Sequence, residues 1–76
     1  MKHLRSGRHR AVITAIVDAR HAAGLTQRQL AAKLRRSNSF VWKIEAGERR
    51  IDVLEFIEIA KSLGISPIDL FTRASR

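Results

Sequence analysis

Residues 26–45 read TQRQLAAKLRRSNSFVWKIE, and this stretch decides the fold. Thr26, followed three residues later by Gln29, forms a capping box, the pattern that begins a helix. Ser37 is a good N-cap for a second helix after a short turn. Only about three residues join the two predicted helices, which is the spacing of a helix-turn-helix unit.

Similar start and stop signals predict three more helices around this unit. The first runs from about His9 to Ala23. Glycines mark helix ends, and capping residues mark helix starts. These boundary residues are, in chain order, Gly24, Gly47, Asp52, Gly64 and Ser66. Because no strand pattern is present, we expect an all-α domain of five helices. It spans residues 9–76 after a flexible basic arm of residues 1–8, with the helix-turn-helix at about 26–46.

The positive charge of the chain is concentrated in one part. Its formal net charge is +8, and residues 1–50 hold twelve basic residues against three acidic ones, whereas residues 51–76 hold three against four. A charge that only kept the protein in solution would not need this asymmetry, so we expect a polyanionic partner such as nucleic acid. The chain has no cysteine, which fits a reducing compartment, and we expect a cytoplasmic location.

Sites for other kinds of chemistry are not predicted. His3, His9 and His21 have no carboxylate or cysteine partner at ligand spacing, which argues against a metal site. No glycine-rich phosphate loop is present, and no serine has an evident base. The apolar run from Ala11 to Val17 is too short to span a membrane. We therefore expect no catalytic residue, no cofactor, no small-molecule ligand and no membrane partner.

The second helix of the unit carries short polar side chains on the face opposite Val41. In a helix-turn-helix protein this helix presents its N-terminal half to base edges in the major groove. Asparagine can bond bidentately to adenine, and lysine can reach guanine acceptors. The residues predicted to contact bases are Asn38, Ser39, Trp42 and Lys43. For Trp42 two readings remain open, since the indole could press on thymine methyl groups or sugars, or it could pack on protein.

The TQRQLA segment at 26–31 and the pattern SxSxVxKIExGER at 37–49 resemble the Cro and lambda-repressor family, also called the XRE-type helix-turn-helix. The likeness covers about residues 10–71. It implies a five-helix domain that binds operator DNA, usually as a dimer on a palindromic or pseudo-palindromic site. It also implies base-reading roles for Asn38, Ser39 and Lys43.

The resemblance assigns further roles. Gln27 matches a phosphate-contacting glutamine, and Arg20 and Glu45 match a structural ion pair that is expected to be buried. Arg35 stands at a turn position usually held by glycine, so it must adopt a positive φ or alter the turn. The full set of predicted phosphate contacts is Gln27, Arg28, Ser37, Phe40, Arg49 and Arg50. The arm residues Arg5 and Arg8 could reach the minor groove or the backbone, or could make no contact.

The fourth helix is richer in apolar residues than one buried stripe requires. At about 100° per residue, five of them share a face expected to meet the core: Val53, Phe56, Ile57, Ala60 and Leu63. Leu54 lies outside that face. It could be an ordinary exposed leucine, or it could form a dimer contact together with Phe71.

The sequence thus predicts a sequence-specific regulator that binds double-stranded DNA, a repressor acting as a homodimer on a palindromic operator. The alternative is a protein-interaction module, such as an antitoxin or an adaptor, with the same fold. RNA binding ranks third, because exposed aromatic pairs for base stacking are not evident.

Overall fold

The computed structural model describes residues 6–76, which form five α-helices and no strand. The helices are α1 (Gly7–Ala22), α2 (Gln27–Leu34), α3 (Asn38–Glu45), α4 (Val53–Ser62) and α5 (Pro67–Ala74). The predicted all-α, five-helix architecture is confirmed, with the helix-turn-helix at α2 and α3.

The start of α1 differs from the prediction. The Ser6 side chain accepts a hydrogen bond from the backbone N–H of His9 at 3.2 Å and so caps a helix that begins at Gly7. The prediction that residues 7 and 8 belong to a flexible arm is therefore wrong, and Arg8 lies in the first turn of α1. Arg5 lies outside the described residues.

Capping boxes begin α2 and α4, as the sequence indicates. The backbone N–H of Gln29 donates to the Thr26 hydroxyl at 3.1 Å, and the side-chain oxygen of Gln29 accepts from the backbone N–H of Thr26 at 2.9 Å. Asp52 and Glu55 repeat this arrangement at 2.7 and 3.0 Å. Each box satisfies two backbone donors that would otherwise lack a partner at the helix start.

Side chains from all five helices build one core. Its most completely buried large members are Ile16, Leu30, Ile59 and Leu70. From α3, Val41 and Ile44 are buried in the same cluster. Because these two residues turn one side of α3 inward, the opposite side must face away from the core.

The predicted inward face of α4 is wrong in part. Val53 is 74% exposed, whereas Ile59, which lies at the edge of the predicted face, is only 1% exposed. The buried face also includes a carboxylate, that of Glu55. Apolar periodicity alone could not predict which side of α4 is buried, because the charged partners of Glu55 are arginines outside α4.

The expected ion pair between α1 and α3 is present. Arg20 Nε and Nη2 donate to the two carboxylate oxygens of Glu45 at 2.7 and 2.9 Å. Arg20 Nη1 also donates to the Leu25 carbonyl at 2.9 Å. Both side chains are buried, so these hydrogen bonds compensate for the loss of water around the two charges. The pair therefore joins α1, the loop that follows it, and the end of α3.

We expect Glu45→Gln and Arg20→Gln each to lower the free energy of unfolding by about 3 kcal/mol, because each leaves a buried charge without its partner. The double variant should lose clearly less than the sum of the two single losses. Chemical denaturation of the four proteins measures this. The control Asp18→Asn, an exposed site on α1, should change stability by no more than about 0.5 kcal/mol. Additive losses would show that the pair contributes no coupling.

Candidate nucleic-acid interface

The turn between α2 and α3 contains one residue in the left-handed region. Arg35 has φ 57° and ψ 42°, and its N–H donates to the Ala32 carbonyl at 3.1 Å. The Arg36 N–H donates to the Ala31 carbonyl at 2.9 Å, which completes a tight helix end. Of the two outcomes considered for Arg35, the structure has the positive φ. The turn thus keeps its form without glycine, at a cost of about 1–2 kcal/mol.

The exposed side of α3 meets the start of α2 at a shallow depression of about 350 Å³. Its lining residues are Gln27, Arg28, Asn38, Ser39 and Trp42. The structure thus brings three of the four predicted base-reading residues together with two predicted phosphate contacts. Lys43 is also exposed on α3 but does not line the depression.

Two of the side chains that line this depression, Gln27 and Trp42, differ in how they are held. Gln27 Nε2 donates to Glu45 Oε1 at 2.8 Å, so the glutamine is attached to the ion pair of Arg20 and Glu45. Trp42, in contrast to the attached glutamine, is 50% exposed. Trp42 and Asn38 both line the depression, so an exposed indole and an exposed amide occur together there.

The start of α3 is capped differently from the other described helices. The Ser37 side chain makes no capping hydrogen bond, and its hydroxyl lies 3.0 Å from the Ser39 hydroxyl instead. In α1, α2, α4 and α5 the N-cap side chain accepts a backbone N–H. Both serine hydroxyls at the start of α3 are exposed.

Phe40, a predicted phosphate contact, is mostly buried. The residue is 8% exposed, and its N–H donates to the Ser37 carbonyl at 3.0 Å. The guanidinium carbons of Arg36 and Arg49 lie 4.5 and 4.7 Å from the ring centroid. Both the ring and the N–H of Phe40 are thus engaged inside the protein, and its phosphate contact stays a prediction.

Arg49 is held by a carboxylate that sequence reasoning recognised only as part of a capping box. Its Nη1 and Nη2 donate to the Glu55 oxygens at 3.0 and 2.9 Å, and Nη1 also donates to the Arg50 carbonyl at 2.8 Å. Arg36 Nη2 lies 3.5 Å from the same carboxylate. The clue in the sequence is an acidic residue inside an apolar run, six positions after an arginine. Arg49 therefore serves first as an internal contact, although it was predicted to bind phosphate.

The environment of Glu55 stabilises its charged form. The hydrogen bonds from Arg49 lower the pKa of Glu55 to about 2, against the opposing effect of burial. The Asp52 N–H and the charge of Arg36 lower this pKa further. In return, the pKa of Arg49 is raised by the same carboxylate. The group is thus ionised, and paired, throughout the neutral range.

A second exposed surface is apolar and lies on α4 and α5. Four large hydrophobic residues are 62–77% exposed: Val53, Leu54, Ile68 and Phe71. Two of them, Val53 and Phe71, line a pocket of about 740 Å³ that is also lined by residues from the start of α1 and the end of α5. The Phe71 ring forms one wall and packs edge-to-face on Phe56, with centroids 6.4 Å apart.

Among residues 6–76, no group of three or more histidine and acidic side chains could hold a metal ion. In that part of the chain, too, no helix has the length and apolar character needed to cross a bilayer.

Comparison with known proteins agrees with this geometry. Residues 16–70 match a family described as helix-turn-helix. The chain is 41% identical to an XRE-family like protein from Pseudomonas syringae pv. tomato str. DC3000, with a TM-score of 0.86 over 96% of this chain and 89% of that one. It is 25% identical to the clp gene regulator ClgR from C. glutamicum, with a TM-score of 0.82 over 91% of this chain and 88% of that one.

None of the curated proteins compared with the chain matches it. The family match covers most of the chain and includes all of α2 and α3, the unit on which the resemblance to the Cro and lambda-repressor family rests. The chain therefore belongs to the XRE family of helix-turn-helix DNA-binding transcription regulators.

Proposed function

We propose that this regulator is a repressor that acts in the cytoplasm and reads a palindromic operator as a homodimer, with α3 in the major groove. The observation that carries the proposal is the division of α3 into two faces. Val41 and Ile44 are buried, whereas Asn38, Ser39 and Trp42 line an exposed depression. A helix held in this way can enter a groove without loss of its core contacts.

Each exposed side chain on α3 has a chemical role in this proposal. Asn38 can pair with the N6 and N7 groups of adenine, and Lys43 can donate to the O6 and N7 acceptors of guanine. The half-exposed indole of Trp42 can pack on a thymine methyl group or a sugar. Ser39 can donate to or accept from either kind of base edge.

The phosphate contacts are proposed to surround this face. Arg28 lines the depression, and Arg50 is exposed in the segment after α3. Ser37 is exposed at the start of α3, and Gln27 is oriented by Glu45. The remaining candidates are Arg8, now placed on α1, and Arg5, outside the described residues. Such contacts set the register of the protein on DNA but carry little sequence information.

The second copy is proposed to cover the apolar surface of α4 and α5. Exposed apolar patches of this kind mark interaction sites. Leu54 and Phe71, the predicted dimer contacts, both belong to this surface and are well exposed. Residues 51–76 carry three basic and four acidic residues, so two copies can meet there without the repulsion expected of the basic part. A two-fold dimer would then match a two-fold operator.

One alternative uses the same apolar surface. A protein-interaction module, such as an antitoxin or an adaptor, would dock a different protein on α4 and α5, and α3 would not need to read bases. The exposure of Leu54 and Phe71 fits this role as well as it fits a homodimer. DNA binding by variants of α3 separates the two functions.

We expect Asn38→Ala and Lys43→Ala each to weaken binding to the preferred duplex by about 1–3 kcal/mol, and to weaken preference at one or two base pairs. Arg28→Ala and Arg50→Ala should instead weaken binding to preferred and scrambled duplexes by similar factors, because they contact phosphate. Titration of each variant against both duplexes measures the difference.

Lys61→Ala removes the same charge from α4 and should leave both affinities nearly unchanged. Equal losses on both duplexes for the Asn38 and Lys43 variants would mean that α3 does not read the sequence. If none of the four variants changes DNA binding, the protein-interaction module becomes the better account.

Leu54→Glu should convert a dimer to a monomer, because it places a charge in the proposed apolar contact. Sedimentation measures the oligomeric state, and circular dichroism should show unchanged helix content. Lys61→Ala, elsewhere on α4, should remain dimeric. An unchanged oligomeric state for Leu54→Glu would remove this part of α4 from the interface.

A further inference from the structure

We propose that Glu55 is a positioning residue for DNA binding, and that Arg36, which it helps to hold, contacts a DNA phosphate. The inference rests on the proposed function and concerns residues outside the base-reading set. Its basis is a four-residue cluster, defined as Arg36, Phe40, Arg49 and Glu55, which we call the arginine cluster. Its members come from four parts of the chain: the turn before α3, α3 itself, the segment after α3, and α4.

The cluster joins both ends of α3 to α4. Arg36 lies in the turn before α3, Phe40 lies in its first turn, and Arg49 lies after its end. Glu55 lies in the first turn of α4 and attracts both guanidinium groups. The buried face of α3 packs the helix against the protein core. The arginine cluster instead contacts the two segments that flank the helix.

Glu55 and Phe40 are the buried members of the cluster, whereas the side chains of Arg36 and Arg49 are partly exposed. The Glu55 side chain is 9% exposed, and the Phe40 ring packs against both guanidinium groups. Cation–π contacts gain strength when the partners are partly removed from water. A charged carboxylate at this depth needs both charge compensation and hydrogen bonds, and Arg49 supplies them in bidentate form. Glu55 is therefore held by a bidentate pair with Arg49 and by a second guanidinium nearby, not by a single surface contact.

The two arginines have different roles. Arg49 places two nitrogens on Glu55 and uses one of them also for the Arg50 carbonyl. Arg36 has a single contact with the carboxylate, at 3.5 Å, and its side chain is 42% exposed. A guanidinium group carries five N–H donors, so Arg36 has donors beyond its single contact with Glu55, on a partly exposed side chain that precedes α3. This cation is oriented by its stacking on Phe40 and can reach a phosphate beside the groove.

Removal of the charge on Glu55 should change the affinity for DNA in opposite directions, depending on whether electrostatics or positioning dominates. A more positive protein should bind DNA more tightly on electrostatic grounds alone. Loss of positioning should weaken binding to the preferred sequence. Glu55→Gln is suited to this test because glutamine also fits the capping box with Asp52 and has nearly the same size.

The experiment compares wild type, Glu55→Gln and Glu58→Gln on a duplex recovered by selection from random DNA and on its scrambled counterpart. Glu58 is exposed on the same helix, so its variant has the same net charge without contact to the arginine cluster. We expect Glu55→Gln to bind the selected duplex about tenfold more weakly, at the low end of what one base contact provides. Its binding to the scrambled duplex should be unchanged or tighter, and Glu58→Gln should not weaken either.

Arg36→Ala provides the second measurement, the dependence of affinity on salt. The slope of log affinity against log salt should fall by about 0.9 if one phosphate contact is lost. Arg49→Lys keeps the charge but not the bidentate geometry, and it should weaken binding to the selected duplex even if Glu55→Gln does not fold.

Unchanged or tighter binding of the selected duplex by Glu55→Gln, with wild type selective, overturns the positioning role. An unchanged salt slope for Arg36→Ala overturns the phosphate contact. If wild type itself does not distinguish the two duplexes, the proposed function fails, and this inference fails with it.

Discussion

The buried ion pair of Arg20 and Glu45 is the constraint on which the DNA-binding unit depends. It places a charge from α1 against a charge at the end of α3, and a third group, the Leu25 carbonyl, completes the arginine's hydrogen bonds. Because loss of either partner would leave a buried charge uncompensated, the pair opposes movement of the end of α3 away from α1. Gln27 is attached to the same carboxylate, so the start of α2 is held in register with α3.

Two polar networks thus act on α3 from different directions. The first joins it to α1 through Glu45, and the second joins its flanking segments to α4 through Glu55. Between them, the apolar contacts of Val41 and Ile44 fill the core. The side that remains exposed carries amide, hydroxyl and indole groups, those of Asn38, Ser39 and Trp42. The residues of α3 that build the core are thus separate from those that the proposed function assigns to base contacts.

Features set by local sequence could be predicted, and features set by distant partners could not. The helix-turn-helix followed from Thr26, Gln29 and Ser37, because capping and turn signals act within a few residues. The position of Arg35 in the turn left two possibilities, a positive φ or an altered turn, and the structure has the positive φ. The inward face of α4 was misread, because burial of Glu55 depends on arginines that lie before and after α3. The role of Phe40 was missed for the same reason: its stacking partners come from two separate turns.

The central claim is that the exposed face of α3 reads DNA sequence while a two-fold dimer sets the spacing of its contacts. Selection of bound duplexes from random DNA by the wild-type protein tests it most directly. The account predicts enrichment of an inverted repeat whose half-site centres lie about 10–10.5 base pairs apart, or a multiple of that spacing. A recovered pool with no common sequence, bound no better than random DNA, would contradict it.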